Sequence, residues 1–160
     1  MSGASPLLAL PGMDDDRGRI DAGMHQAVVT ADAHLTQLAS HLIEAGGKRL
    51  RPVLSVAVGR LSGDGQVPDD VVRGGIACEL VHLGSLYHDD VMDEAETRRG
   101  VETVNARWGN LQAILAGDFL LARASEIAAS LGTEVAGLLA RTIGWLCEGQ
   151  IEELRHTYDV

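Results

Sequence analysis

The stretch that decides the fold is Glu79–Gly100, ELVHLGSLYHDDVMDEAETRRG. It brings two histidines, five acidic residues besides Glu79 and an arginine pair into one helix and its exit loop, within an Ala/Leu/Val/Gly-rich chain. A helix turns about 100° per residue, so Asp89 and Asp93, four apart, share one face about a turn from each other, with Asp90 a third of a turn away. Two carboxylates on one face can hold one ligand. An all-oxygen anionic site without a thiolate suits Mg²⁺, which takes one or two carboxylates and completes its shell with water and substrate phosphates. Arg98 and Arg99 follow where the exit from the helix should end at Gly100. Acids and guanidiniums at opposite ends of one pocket make sense if a diphosphate lies between them.

A second segment answers this one. Gly46-Gly47 should stop a helix running from about Ile20 to Ala45, and Lys48-Arg49-Leu50-Arg51-Pro52 follows, with Pro52 expected to start the next helix. Lys48 is the one lysine of the chain. A helix N-terminus behind glycines and basic side chains attracts an anion through free N–H groups, dipole and charge together. Lys48 and Arg51, three apart, are expected to face the same way.

The remaining pattern is helical. Pro52 to Leu61, Asp69 to Asp93, Leu111 to Ala129 and Glu134 to His156 read as helices, with a polar loop SGDGQVPDD before the long one. No strand pattern is credible, so five or six helices predict an all-α bundle with its site between facing helices. His82 lies seven residues before Asp89, nearly eclipsed with it and about 10 Å along the axis, where it would hydrogen-bond a second phosphate or serve as a satisfied core histidine. Asp118 should cap or bond a neighbouring helix, and Gln150 should turn toward the pocket. Residues 1–18, with Pro6, Pro11 and the run Asp14-Asp15-Asp16, read as a flexible leader whose acids are solvated. The domain proper is then 19–160.

Composition narrows the function classes. With 160 residues and 46% hydrophobic content the chain forms one domain with a real core, and aromatics at 3% make that core aliphatic. A formal charge of −10 argues against nucleic acid as a partner. Cys78 and Cys147, isolated in apolar helical runs, read as buried reduced thiols in a cytoplasmic protein. No stretch reads as a signal peptide or a transmembrane span.

GGKRLRP at 46–52, HLGSLYHDDVMD at 82–93 and RRG at 98–100, in that order and spacing, resemble the N-terminal half of a trans-polyprenyl diphosphate synthase. The resemblance covers roughly residue 20 to the end. It implies an all-α fold of the isoprenoid synthase type, magnesium dependence, and condensation of isopentenyl diphosphate onto an allylic diphosphate. It further implies that Asp89 and Asp93 are magnesium ligands with Asp90 in support. Lys48, Arg51, His82 and Arg99 would then hold isopentenyl diphosphate, and Arg98 would face the allylic diphosphate. No catalytic acid, base or nucleophile is expected from the protein, since released pyrophosphate would take the final proton. Gly84 and Ser85, one turn before the aspartates, would form a small pocket floor, with Val81 and then Cys78 or Ala77 as the next obstacles. That predicts a product beyond fifteen carbons, of medium or long class, shortened by Gly84→Phe. The family's second aspartate-rich motif and a further lysine have no counterpart by Val160, so this half would need a C-terminal half, as a homodimer or in a complex with a chain that supplies it. Three alternatives stand beside this reading. One is a non-catalytic or truncated subunit of a prenyl synthase complex. Another is a ferritin-like di-iron bundle using Glu79-x-x-His82, Glu153-x-x-His156, Glu44 and Glu126. The third is an HD-type phosphohydrolase using His82, His88-Asp89 and a later Asp.

Overall fold

The computed structural model describes residues 10–63 and 66–158; residues 1–9 of the expected leader lie outside them. Among the described residues the chain forms seven helices and one small hairpin: α1 (Met13–Ala27), α2 (Ala33–Glu44), α3 (Leu50–Arg60), α4 (Asp69–Met92), β1 (Thr97–Arg98), β2 (Val101–Glu102), α5 (Val104–Trp108), α6 (Asn110–Ser130) and α7 (Thr133–Tyr158). The all-α expectation holds.

Helix α4 is the axis of the fold, because eleven of its 24 residues are buried and they point to several sides. It packs against α6, α3 and α1. Two glycines permit close crossings. A Cβ on Gly75 would lie 2.8 Å from the Cα of Pro52 on α3, and one on Gly84 would lie 3.0 Å from the backbone oxygen of Gly117 on α6. Aliphatic side chains such as Leu80, Leu83, Leu120, Ala116 and Ala124 fill the space between them. Tyr87 is the fully buried aromatic; its hydroxyl donates to the Leu38 oxygen at 2.7 Å and accepts from the Leu42 N–H at 3.3 Å, tying α4 to α2.

Several local expectations need correction. The single helix expected over Ile20 to Ala45 is two, because Asp32 caps α2: its carboxylate accepts from His34 and Leu35 N–H at 2.8 and 3.1 Å. Helix α1 starts at Met13, inside the stretch read as a leader, with Met13 and Asp16 buried. Asp16 is thus no solvated acid; it accepts from Arg60 at 2.6 and 3.0 Å and from Arg19 at 2.8 Å. Pro52 is the third residue of α3 rather than its first, still within the turn where a missing N–H costs nothing. Strands do exist. Thr97 pairs with Glu102 and Arg98 with Val101, across a turn in which Arg99 and Gly100 both have positive φ. Two-residue strands are too short to leave a periodic signal. Cys78 and Cys147 are exposed, since they lie along a groove between α4 and α7 rather than in the core.

Candidate functional site

The C-terminal end of α4 sorts its three aspartates by direction. Asp93 caps the helix, its N–H donating to the Asp89 oxygen at 2.8 Å, so the two acids stay one turn apart on the outer face. Asp90, a third of a turn round, is buried and points inward. Its Oδ1 accepts from Arg98 Nε at 2.5 Å, while its Oδ2 is buried without a hydrogen-bond partner. Asp90 therefore faces Arg98 rather than the outer face that Asp89 and Asp93 share, while the Nη groups of Arg98 make no hydrogen bond among the described residues. A buried carboxylate needs a counter-charge more than an exposed one does, and Arg98 supplies it. The hairpin that delivers Arg98 is strapped back onto α4. Asn105 Nδ2 donates to the Asp90 and Ala95 backbone oxygens at 3.1 and 3.0 Å, and Thr103 Oγ1 to that of Ala95 at 2.7 Å.

On the outer face, burial pushes the Asp89 carboxyl above the usual carboxylate range. Arg98 draws it partly back, and Asp93 and Asp90 raise it again. Like charges held this close favour a cation between them. No three of the described His, Cys, Asp and Glu side chains cluster as a metal cage. Two carboxylates on one face still fit Mg²⁺, which leaves most of its shell to water and phosphate.

The basic segment assembles around a residue that the sequence reading used only in its di-iron alternative. Glu79, buried on α4, has Arg49 Nη1 at 3.8 Å and Arg51 Nη1 at 3.9 Å. Arg49 is buried on a positive-φ backbone, φ 48°, and donates to the Ile43 oxygen at 2.7 Å. Arg99 Nη1 donates to the Leu42 oxygen at 3.1 Å and to that of Gly46. Both arginines thus bond carbonyls at the end of α2, that of Ile43 alongside the Gly46 N–H at 3.1 Å. Lys48 is exposed on irregular backbone before α3, so helical spacing to Arg51 does not apply to it. His82 is pushed down to about 4 by burial and then by Arg51, Arg99 and Arg98, and is a neutral imidazole near pH 7.

Asp89 on one side and Arg51 and His82 on the other open onto adjoining cavities along a groove between α4 and α7, and Asp93, Lys48, Arg98 and Arg99 line neither. A cavity of about 360 Å³ is lined by Asp89, His88, Ser85, Val81, Leu146 and Gln150, and an adjoining one of about 480 Å³ by Arg51, His82, Cys78 and Leu138 together with the same Val81, Ser85 and Leu146. Gln150 faces the acids as expected. Asp118 bonds a neighbouring helix as expected, its Oδ1 lying 3.3 Å from His88 Nε2.

Gly84 is not on the groove. It faces α6, where a Cβ would meet Gly117 and Leu121 at 3.0 and 3.2 Å. A phenylalanine there would force two helices apart instead of shortening a tail, so the floor argument passes to Ser85 and Val81. The di-iron constellation does not assemble either: Glu44 accepts from Ser40, Glu126 pairs with Arg123, and Glu79 lies among the arginines. The HD-type set is likewise not brought together, since no cluster of described histidines and acids includes His82, His88 and Asp89.

The polyprenyl synthetase family model matches residues 32–160. The nonaprenyl diphosphate synthase of Mycobacterium tuberculosis is 45% identical over 141 residues, covering 87% of this chain and 41% of that protein. The heptaprenyl diphosphate synthase component 2 of Geobacillus stearothermophilus is 39% identical over 148 residues, covering 91% and 45%. The crystal structure of polyprenyl synthase from Caulobacter crescentus CB15, complexed with calcium and isoprenyl diphosphate, superposes with a TM-score of 0.89 at 34% identity, covering 99% of this chain and 48% of that one. The chain spans less than half the length of these relatives.

Proposed function

The chain belongs to the polyprenyl synthetase family, and from that premise we propose that it serves a magnesium-dependent prenyltransferase that condenses isopentenyl diphosphate with an allylic diphosphate into a medium or long trans-polyprenyl diphosphate. The observation that carries this reading is the groove itself: Asp89 opens onto one cavity, Arg51 and His82 onto the next, and Val81 and Ser85 line both.

Each residue has a role in that reaction. Asp89 and Asp93 would hold the metal. When bound, it neutralises charge on the departing diphosphate. Lys48, Arg51 and Arg99 hold the diphosphate of the isopentenyl substrate, and neutral His82 donates or accepts one hydrogen bond without adding charge. Arg98, its Nε held by Asp90, turns its remaining N–H groups to the allylic diphosphate. Val81, Ser85 and Leu146 present a largely apolar wall that excludes water from the carbon centres and holds the acceptor double bond against the allylic carbon.

The groove also bears on product length. From Asp89 down to Gly74, which lines the second cavity, α4 runs about 22 Å at ~1.5 Å per residue, room for about four prenyl units of on the order of 5 Å. The relatives' names, nonaprenyl and heptaprenyl, lie on the same side of fifteen carbons. We place the domain at 13–160, since α1 belongs to the packed fold. We further propose that it acts in the cytoplasm; no described helix is long and apolar enough to cross a membrane. A homodimer, or a complex with a second chain, is the assembly we propose, and the "component 2" in one relative's name supports a complex. A non-catalytic subunit of a prenyl synthase complex is the second reading, compatible with that same name.

The deciding assay mixes the purified chain with Mg²⁺, an allylic diphosphate and radiolabelled isopentenyl diphosphate, alone and with a separately expressed C-terminal half from a relative. Butanol-extractable products longer than fifteen carbons are expected in the mixture. Their absence in both arms, from folded protein, would rule the proposal out and leave the non-catalytic subunit.

A further inference from the structure

Glu79 is 1% exposed, and its Oε2 is enclosed without a hydrogen-bond partner. Around it stand guanidiniums from three places in the chain: Arg49 from the loop after α2, Arg51 from α3, and Arg99, whose charge its carboxylate stabilises, from the β1–β2 turn. Three cations this close repel one another, and the Glu79 carboxylate offsets that repulsion. The separations of 3.8 and 3.9 Å are too long for hydrogen bonds, so Glu79 attracts these groups without occupying their N–H donors. The Arg51 side chain, half exposed, makes no hydrogen bond among the described residues; what ties it to the cluster is this charge.

We infer that Glu79 is a positioning residue for the diphosphate-binding end of the groove, a buried carboxylate that gathers Arg49, Arg51 and Arg99 while leaving Arg51 free to fork onto an incoming diphosphate. The inference rests on the reading above that this cluster takes a diphosphate. It also specifies a sign. Removing a negative charge from the edge of an anion site would strengthen binding if charge alone mattered. It weakens binding if the carboxylate is there to hold the cations in place.

The experiment titrates inorganic pyrophosphate, without metal, into the full chain by calorimetry. Glu79→Gln, the same shape without the charge, is expected to bind about tenfold more weakly. In an Arg51→Gln background the same change is expected to have little further effect, because Glu79 acts through Arg51. Glu79→Asp keeps the charge but draws it back by one methylene, and should fall between the two. Should Glu79→Gln not fold, judged by its thermal melt, Glu79→Asp alone and in the Arg51→Gln background carries the same comparison. Equal or tighter binding by the folded variant, or losses that add in the double variant, overturns the inference while leaving the pocket assignment standing. Failure of the wild-type chain to bind pyrophosphate overturns the pocket assignment instead, and the inference with it.

Discussion

Two buried acids, Asp16 on α1 and Glu79 on α4, each face more than one arginine, yet they are built differently. Asp16 accepts hydrogen bonds at 2.6, 2.8 and 3.0 Å from Arg60 and Arg19. Glu79 keeps Arg49 and Arg51 at 3.8 and 3.9 Å, with one oxygen unpartnered. The first cluster is closed: every short contact is made, and it fastens α1 to α3. The second is open at Arg51, whose donors stay in reserve while Arg49 and Arg99 are tied to backbone carbonyls. A folded protein tolerates an unsatisfied buried carboxylate where something other than stability requires it. The difference separates a structural lock from a binding site more clearly than counting charges does.

The largest effect that would test this contrast is on stability. Asp16→Ala should cost about 2–3 kcal/mol, below the range for breaking a fully buried pair because Arg19 and Arg60 can regain some water. Urea melts would measure it, and the folded fraction should still bind pyrophosphate as wild type does. Arg51→Gln should do the reverse. Pyrophosphate affinity should drop about tenfold, about 1.4 kcal/mol, with stability changed by no more than about 0.5 kcal/mol, since the side chain is half exposed. A large stability loss there would make the Glu79 cluster another lock.

Asp90→Asn should cost about 1 kcal/mol through its weakened bond to Arg98, while leaving divalent-metal affinity nearly unchanged. Asp89→Asn should lower that affinity sharply. Mn²⁺ titrations followed by electron paramagnetic resonance would compare them, and equal losses would return Asp90 to the metal site. The smallest effect concerns His82. Its folded value near 4 lies below the ordinary value of about 6.5, so between these the unfolded chain binds a proton that the folded chain does not. Stability should therefore fall as pH drops from 6.5 toward 4, and His82→Gln should lessen that fall. Proton NMR of the ring should also show its pKa rising when pyrophosphate binds; no movement would place the anion elsewhere.

Helix α4, the order of the three motifs and the outward pairing of Asp89 with Asp93 were all legible from residues alone, because helical period and the i, i+4 relation are local geometry. The α1–α2 break was legible in principle, for Asp32 before His34 and Leu35 is an ordinary cap. It was obscured by an apolar period that runs through it. Nothing local marks Arg99 for a positive φ, a conformation arginine seldom adopts; its guanidinium is bound to the end of α2, more than fifty residues away in sequence. Gly84 read as a pocket floor because spacing gives a residue's angle on its helix but not which neighbour that angle meets.

By itself the sequence determined the helices, their order and which chemical groups sit one turn apart, since these follow from bonds and dihedrals within a few residues. Only the tertiary structure decided that Asp90 turns inward to Arg98, that Gly84 faces α6, and that Glu79 stands among three arginines. Those outcomes depend on which elements pack together, and burial sets how strongly each charge must be answered.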